Sequence, residues 1–487
     1  MAVPSERRRR RALGEHLTPQ QLLHTYILPE ITPLLTQYRW VDLFAGRGDL
    51  ILPILEQIPP AERAEFFAEH IRLYDIQPQM VAQCIQRAVA LGVPEPLARE
   101  NIRQQDTLAH YPEEILRSAL PVYHVTNPPY LYLGYIPKQP ETRPYLQYFT
   151  GDNEGYQDLY QIALINDMRH RIPRMAYIIP SNFLFGFAIS NKIRDDLLTY
   201  YTIRGAYLFE EALFEHTGVH VMIGFFERKP CAQREVQAFE ATKINHTVQR
   251  RLYRLSPKQH YRAGGEFEEF TARYRAARPL QVSYYLHHTT VEQHRGEHLL
   301  RLIDANDFSG KGYRVLETRV DAALYEQVRA NPLFVRTLDT GSADGRAGLY
   351  SIPEQFGVDG IVVTKATYRT HPIQLFIEPR LPLDDLLWLK DYFNLLLEYL
   401  RAQTDSEFMT TYKYSESAYT RKYLGLSQAK ALIETFPYLE LTPEEQKTLR
   451  QLVRVGDAEG VVGFLNLCTP CITLRNFMVF KYTLITK

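Results

Sequence analysis

The chain has 487 residues, of which 45% are hydrophobic and 23% charged, and its 56 basic residues balance its 56 acidic residues. This composition excludes a chain that is disordered throughout, and the length predicts two or three domains. Four cysteines exclude a disulfide scaffold and favour a reducing compartment, so we expect a cytoplasmic protein. The zero net charge excludes a uniformly basic coat for nucleic acid, whereas a local basic face is compatible with it. No apolar run is long enough to span a membrane.

Helix and strand patterns alternate through the first half of the chain. The predicted elements are a helix over 20–35, a strand over 40–44, a helix over 50–58, a strand over 71–76, a helix over 78–91, strands over 101–104 and 122–126, a helix over 159–172, a strand over 175–179, a helix over 189–200 and strands over 203–209 and 219–226. This alternation predicts a parallel sheet with helical crossovers. The last two strands are close enough in sequence to form a hairpin, which adds one antiparallel strand.

The pattern breaks near Lys229 and Pro230, which predicts one domain over residues 1–230 and a second over 231–487. The second part is less regular, apart from strong helical patterns over 383–402 and 443–454.

The most basic segment runs from Lys243 to Arg278, with nine basic and three acidic residues. Tyr253, Tyr261 and Tyr274 lie between its charges, and this mixture suits contacts with phosphate groups as well as it suits a solvated face. A second basic group, over 412–423, is open to the same two interpretations.

A glycine-rich turn follows the first predicted strand and reads Asp42-Leu43-Phe44-Ala45-Gly46-Arg47-Gly48. Glycines at such a place let backbone N–H groups approach a ligand, although a plain tight turn has the same pattern. Asp75 lies at the end of the second predicted strand, and Asp106 follows the third. There, carboxylates can accept the ribose hydroxyls and the adenine amine of an adenosine cofactor, or they can cap helices.

Asn127-Pro128-Pro129-Tyr130, at the end of the fourth predicted strand, is the strongest signal in the chain. The two prolines have no N–H group, so carbonyl oxygens near them lack local partners. Asn127 adds a side-chain oxygen, and Tyr130 adds a flat ring. Acceptors that converge beside an aromatic ring suit a planar amine, and a surface turn would need the two prolines to fall there by chance.

In these residues the sequence resembles the gamma class of adenine-N6 DNA methyltransferases, which use S-adenosylmethionine. The resemblance covers about residues 12–230. Its motifs are a G-x-x-x-T-P element at 14–19, the glycine turn at 42–48, Asp75, Asp106, Asn127 to Tyr130, the stretch 175–186 and Phe214. The sequence departs from the family pattern at Leu43, where proline is usual, and at Gln77, where an acidic residue is usual.

The resemblance implies an α/β fold with a Rossmann-like methyltransferase sheet, mostly parallel with one antiparallel strand, and a mixed C-terminal DNA-recognition domain. It makes residues 1–230 the catalytic domain and 231–487 the target-recognition domain. The implied catalytic residues are Asn127, Pro128, Pro129, Tyr130 and Phe214. The implied cofactor-binding residues are Thr18, Pro19, Asp42, Phe44, Ala45, Gly46, Gly48, Asp75, Ile76, Asp106, Thr107 and Asn127. No metal is expected.

The implied reaction methylates the N6 amine of an adenine that is flipped out of double-stranded DNA. The side-chain oxygen of Asn127 and the carbonyl oxygen of Pro128 would accept the two amine hydrogens, and Tyr130 and Phe214 would stack on the base. The tyrosine-rich loop over 131–156 would lie along the DNA, or it would be a lid without base contacts.

Several alternatives stay open. The same tetrapeptide serves enzymes that methylate a protein glutamine amide or guanine N2 in RNA, and cytosine N4 is a further target. A non-catalytic DNA-binding subunit and a fused restriction nuclease are also conceivable. We expect no nuclease before the first methyltransferase motif, where the sequence is too short for one, and find no convincing nuclease motif after residue 230. The expected partners are double-stranded DNA and, in a restriction-modification system, a separately encoded endonuclease, with no membrane.

Overall fold

The computed structural model describes residues 20–138, 140–186, 188–210, 220–244, 248–310, 312–339, 345–365, 372–411 and 422–468. These residues form two compact units. The first holds the described residues up to Ala263, and the second begins at Gly264. Each unit has its own apolar core. No helix in the described ranges combines the length and apolarity of a membrane span.

The first unit is built on one nine-stranded sheet in the order β3-β2-β1-β4-β5-β7-β6-β8-β9. Its strands are β1 (Arg39–Asp42), β2 (Ile71–Asp75), β3 (Ile102–Gln104), β4 (Val122–Thr126), β5 (Arg174–Pro180), β6 (Tyr201–Phe209), β7 (Val221–Arg228), β8 (Gln237–Ile244) and β9 (Val248–Leu255). Strands β1 to β5 pair in parallel, β7 is antiparallel to β5 and β6, and β9 is antiparallel to β8. The mostly parallel sheet with the antiparallel β7 confirms the predicted fold class, and β9 adds a second antiparallel strand.

Helices connect these strands. The α-helices of the first unit are α1 (Gln20–Leu22), α2 (Leu28–Ile31), α3 (Arg63–His70), α4 (Pro78–Ala90), α5 (Glu95–Asn101), α6 (Leu159–Arg169), α7 (Asn182–Phe185) and α8 (Asn191–Tyr200). A π-helix covers Leu23–Ile27, and 3₁₀ helices cover Thr32–Gln37, Leu52–Gln57, Glu113–Leu116, Ile136–Lys138, Pro140–Phe149, Gly151–Asn153, Ala188–Ser190 and Pro257–Gln259. The helix predicted over 50–58 is therefore a short 3₁₀ helix. Pro53 lies in its first turn, where proline is tolerated, and Pro59 limits the helix at its end.

The middle of the sheet is buried, as expected for parallel strands covered on both faces. β4 is buried at all five positions, and β5 is buried at every position after Arg174. The indole ring of Trp40 stacks on Tyr123 with ring centroids 4.9 Å apart. Apolar burial in β1, β4 and β5 therefore fixes the strands whose ends carry the candidate site.

The first unit extends beyond the predicted boundary near residue 230. β8 pairs in parallel with β6, and Phe239 and Leu255 are buried in the same core as the earlier strands. Lys229, expected in a linker, is buried, and its Nζ donates to the carbonyl oxygen of Leu198 at 3.0 Å. The stretch after β7 is thus a short connection inside the first unit, and Ala263 is its last residue before the second unit.

The second unit mixes helices with small sheets. Its strands are β10 (Gln281–Tyr284), β11 (Leu286–His287), β12 (Arg295–Ser309), β13 (Gly312–Val320), β14 (Leu333–Arg336), β15 (Gly348–Ser351), β16 (Gly360–Val363) and β17 (Ile373–Glu378), and two short strands follow, β18 (Thr410–Thr411) and β19 (Lys422–Tyr423). One sheet has the order β10-β17-β14-β15 and another β11-β16-β12-β13.

The helices of the second unit are α9 (Glu266–Arg273), α10 (His288–Gln293), α11 (Ala322–Arg329), α12 (Ile352–Phe356), α13 (Leu383–Thr404), α14 (Leu426–Ile433) and α15 (Pro443–Arg454), and residues 458–468 are helical as well. α13 is central to this core, because Leu386, Leu389, Phe393 and Leu396 are buried at helical spacing. The helices predicted over 383–402 and 443–454 are confirmed.

Candidate active site

Parallel strands bring the predicted polar residues to one edge of the nine-stranded sheet. β1 and β2 end at Asp42 and Asp75, β4 ends one residue before Asn127, and β3 ends two residues before Asp106. These strands are neighbours in the order β3-β2-β1-β4. Open α/β sheets bind their ligands outside the carboxyl ends of such strands. The three carboxyl groups and the Asn127 amide therefore lie where a ligand is expected.

The turn after β1 is held by contacts within the protein. The N–H groups of Leu43, Phe44, Ala45 and Gly46 donate to His124 Nε2 (3.1 Å), Asp42 Oδ1 (3.0 Å), the Tyr74 carbonyl oxygen (2.8 Å) and Asp75 Oδ2 (2.8 Å). The expectation that backbone N–H groups of this turn face a ligand is wrong for these four residues. The turn does leave open space beside Gly46. This residue has a φ of +54°, and a Cβ atom built on it would meet no atom within 4 Å.

Asp42 lies below this turn and is 1% exposed. Its Oδ1 accepts a hydrogen bond from the Thr126 hydroxyl at 2.6 Å. Burial raises the pKa of the Asp42 carboxyl to about 6, although the hydrogen bonds from the Thr126 hydroxyl and the Phe44 N–H group favour the ionised form. A cation bound at this edge would therefore find a carboxyl group whose ionisation it stabilises.

Asp75 and Ile76 present a carboxyl group beside an exposed apolar side chain. The two oxygens of Asp75 accept N–H groups of Gln77 and Gly46, both at 2.8 Å, and burial raises the pKa of this carboxyl. Each carboxylate oxygen can still accept another donor. Ile76 is 50% exposed. The Asp75 oxygens can accept hydrogen bonds from a ribose diol, and the Ile76 side chain offers an apolar surface to a flat ring. Together they fit the adenosine part of S-adenosylmethionine.

Asp106 has partners on two segments. Its Oδ1 accepts the N–H group of Ala109 at 3.2 Å, as a cap would, and its Oδ2 accepts the Tyr148 hydroxyl at 2.6 Å. The neighbouring Thr107 is buried, and its hydroxyl donates to the Leu43 carbonyl oxygen at 2.8 Å. Tyr148 belongs to the tyrosine-rich loop over 131–156. One part of that loop is therefore attached to the carboxylate that was assigned to the cofactor.

The Asn127 side chain is oriented by its own motif. The Tyr130 hydroxyl donates to Asn127 Oδ1 and also lies 2.7 Å from the Ile178 carbonyl oxygen. Tyr130 is only 3% exposed, so stacking of a base on its ring stays a prediction. Pro128 is buried and Pro129 is partly exposed. An amide oxygen has two lone pairs, so Asn127 Oδ1 has the capacity for two donors, of which the Tyr130 hydroxyl is one.

Three predicted site residues, Thr18, Pro19 and Phe214, lie outside the described residues, as do 412–421 of the second basic group. The described ranges contain no group of three or more His, Cys, Asp or Glu side chains arranged to hold a metal ion.

The basic segment from Lys243 to Arg278 does not form one exposed face. It divides between the two units at Ala263. Lys243 and Arg262 are buried, and Lys243 pairs with Glu210 at 3.0 Å. The three interleaved tyrosines are buried as well (Tyr253, Tyr261 and Tyr274). The remaining arginines are exposed or partly exposed, so any phosphate contacts from this segment would be made by separate side chains.

Sequence reasoning missed a buried polar network beneath the site. His124 in β4 and Asp167 in α6 are 1% and 0% exposed, and the hydroxyls of Tyr111 and Tyr177 donate to Asp167. The signal was a histidine and an aspartate inside otherwise apolar segments, since buried polar residues are almost always paired.

Residues 95–293 match the model of a family described as N-6 DNA Methylase. This part of the chain, less than half of its length, is similar to that family. The matched range includes Asp106 and the motif from Asn127 to Tyr130, whereas the glycine turn and Asp75 precede it. This match does not favour the RNA and protein-glutamine alternatives. No curated protein matches the chain.

Solved structures similar to this chain include the type IIL restriction-modification enzyme MmeI in complex with DNA. MmeI is 12% identical, with a TM-score of 0.52 over 91% of this chain and 71% of its own. The DrdV–DNA complex is 14% identical, with a TM-score of 0.39 over 52% of this chain and 31% of DrdV. A modification subunit of a putative type I restriction enzyme from Vibrio vulnificus YJ016 is 16% identical, with a TM-score of 0.35 over 70% of this chain and 60% of its own. The chain spans less than two thirds of DrdV and of the Vibrio subunit. The likeness to MmeI confirms the predicted fold class.

Proposed function

We propose that this protein transfers a methyl group from S-adenosylmethionine to the N6 amine of an adenine in double-stranded DNA, as the modification activity of a restriction-modification system. The observation that carries the proposal is the shared sheet edge, where three carboxyl groups lie beside Asn127-Pro128-Pro129 in an N-6 DNA methylase domain. MmeI was solved in complex with DNA, which supports DNA as the substrate.

The cofactor supplies a methyl group already activated on a positively charged sulfur. We assign Asp75 to the ribose hydroxyls, Asp106 to the adenine amine and Ile76 to the face of the adenine ring. Asp42 lies where its carboxylate favours a cationic ligand. The walls of this site would be Phe44, Ala45, Gly46, Gly48 and Thr107, and Thr18 and Pro19 would close over the methionine end.

The target adenine must leave the duplex, which costs a few kcal/mol, and stacking on Tyr130 and Phe214 would return about 1–3 kcal/mol per contact. Asn127 Oδ1 and the Pro128 carbonyl oxygen accept the two amine hydrogens, and so direct the nitrogen lone pair out of the ring plane. Tyr130 keeps the Asn127 oxygen in position through its hydroxyl. The two acceptors also stabilise the ammonium that develops, so the amine needs no earlier deprotonation.

We assign the choice of DNA site to the second unit, over residues 264–410 and 422–468, which replaces the predicted start at 231. The cognate endonuclease would be separately encoded.

The test is to incubate the full chain with unmethylated duplex DNA and S-adenosylmethionine, digest the DNA to nucleosides and measure N6-methyladenine by mass spectrometry. We expect N6-methyladenine with the wild type, and none with Asn127→Ala, which should bind S-adenosylmethionine within about twofold of wild type, because the asparagine acts on the target amine. Parallel reactions with structured RNA and with glutamine peptides test the other substrates. Methylation of those alone, or full activity of Asn127→Ala, would contradict the proposal.

A further inference from the structure

A buried polar network connects the strand of the catalytic motif to the turn that we assign to the cofactor. His124 lies in the middle of β4 and Asp167 in α6, and neither is accessible to solvent. The chemistry proposed above does not use them. Burying four polar side chains here has a cost unless each is paired, so the arrangement of their hydrogen bonds is informative.

The hydrogen bonds determine the form of the His124 ring. The Leu43 N–H group donates to Nε2 at 3.1 Å, so that nitrogen carries no hydrogen. Nδ1 lies 2.5 Å from Asp167 Oδ2, and it must therefore be the protonated nitrogen that donates. Asp167 also accepts the Tyr177 hydroxyl at 2.6 Å and the Tyr111 hydroxyl at 2.8 Å. Asp167 thus has three donors, and His124 is neutral.

His124 and Thr126 are two residues apart on β4, so their side chains point to the same face of the sheet. His124 holds the Leu43 N–H group, and Thr126 donates to Asp42 Oδ1. Asn127 follows directly. β4 therefore carries two of the side-chain contacts to the β1 turn, and Asn127, which we assign to the target amine, directly follows this strand.

We propose that His124, as the neutral Nδ1–H tautomer held by Asp167, is a positioning residue that fixes the turn after β1 relative to Asn127. The inference rests on the proposed function only in assigning the cofactor to that turn. The groups that face the ring are Asp42 from β1, Asp167 from α6 and Tyr177 from β5, with Tyr111 behind Asp167. With a hydrogen on Nε2 as well, two N–H donors would face each other, those of Nε2 and Leu43. The turn after β1 would then lose its hydrogen bond to His124.

The first measurement needs no cofactor. In full-length protein with ¹⁵N-labelled histidine, the ring nitrogens of His124 are assigned by their disappearance in His124→Gln. We expect Nδ1 to carry the hydrogen and Nε2 to be an acceptor. An Nε2–H tautomer would overturn the proposal, whatever the protein methylates.

The second measurement compares two substitutions that both lose the contact with Asp167. Gln at position 124 can place its carbonyl oxygen near the Leu43 N–H group, whereas Phe leaves that donor unpaired. We expect His124→Phe to bind S-adenosylmethionine about tenfold more weakly than wild type by calorimetry, and His124→Gln to stay within about threefold. Tyr201→Phe is the control, because Tyr201 is in the same core and its hydroxyl donates to the Ile172 carbonyl oxygen at 2.7 Å, away from the turn.

Equal affinities for the Phe and Gln variants, measured on protein that unfolds cooperatively, would overturn the positioning role. If the wild type binds no S-adenosylmethionine, the proposed function fails, and the ring tautomer still decides whether the network has the form inferred here.

Discussion

At the scale of the residue, Asp42 lies in a buried environment that disfavours the ionised form of its carboxyl group. It is 1% exposed, and burial raises the pKa of its carboxyl to about 6. In the cofactor-free protein the ionised carboxylate therefore lowers the free energy of unfolding. A cationic ligand that binds beside it would restore that free energy. The opposite case is Asp49, which is also buried but pairs with Arg87 Nη1 at 2.5 Å. The two aspartates should respond to neutralisation in opposite directions.

We predict that Asp42→Asn increases the free energy of unfolding of the cofactor-free protein by about 2 kcal/mol at pH 7.5. The folded pKa of about 6 lies above the ordinary value of 3.8, so the carboxyl group stabilises the fold below pH 4, and this contribution is lost as the pH rises through 6. The advantage of the Asn variant should therefore shrink to nothing near pH 4 in urea titrations. Asp49→Asn, which breaks an ion pair, should be destabilising, and an Asp42→Asn variant less stable than wild type at pH 7.5 would contradict the prediction.

The sequence was sufficient to place Asp42, Asp75 and Asn127, because each lies at the end of a strand, or directly after one, that an apolar run makes visible. It was not sufficient for their partners. The Tyr148 contact with Asp106 joins residues 42 positions apart, and the His124 contact with Leu43 joins residues 81 positions apart. Such pairs depend on how the strands are ordered, which local patterns do not determine.

At the scale of the element, two tyrosine side chains, Tyr148 and Tyr156, attach the second half of the loop over 131–156 to other parts of the first unit. The Tyr148 hydroxyl donates to Asp106 Oδ2 at 2.6 Å, and the Tyr156 hydroxyl donates to Asp196 Oδ2 at 2.7 Å. Both tyrosines are buried. The loop follows the catalytic motif in sequence, so a contact with Asp106 would couple cofactor binding to the segment beside the target base.

We predict that Tyr148→Phe weakens S-adenosylmethionine binding about threefold to tenfold, since Asp106 loses the donor that orients it. Tyr156→Phe is the matched control, because it removes a similar bond to a carboxylate outside the candidate site. Calorimetry gives the affinities, and limited proteolysis shows whether the loop has loosened in either variant. Equal affinities for the two variants would mean that Tyr148 only secures the loop.

Two strands of the nine-stranded sheet, β8 and β9, were not predicted, and β9 shows a reason. Its residues, Val248–Leu255, include three arginines and fall in the predicted basic segment, whereas they form an edge strand that pairs with β8. Charged side chains are typical of sheet edges, where they discourage pairing with other chains. The buried strands β1, β2, β4 and β5 lack this ambiguity, and their predicted bounds were within a few residues of the structure.

At the scale of the whole molecule, the position at which the first unit ends determines which fragment of the chain can fold independently. Cutting at 230 would remove β8 and β9, expose the edge of β6 and take Phe239, Tyr253 and Leu255 out of the core. Cutting after Ala263 keeps all nine strands. Three large side chains amount to several kcal/mol of burial, which is comparable to the whole stability of a typical domain.

We therefore predict that a fragment ending at 263 unfolds cooperatively in urea and binds S-adenosylmethionine within about threefold of the full chain, whereas a fragment ending at 230 unfolds without a cooperative transition. If the second unit reads the DNA site, the 263 fragment should also lose site preference. Sequencing for N6-methyladenine after reaction with mixed-sequence DNA would then show weak methylation without a common site. Methylation by the fragment at the same site as the full chain would place recognition within the first unit. Cooperative unfolding of the 230 fragment would restore the boundary that the sequence pattern suggested.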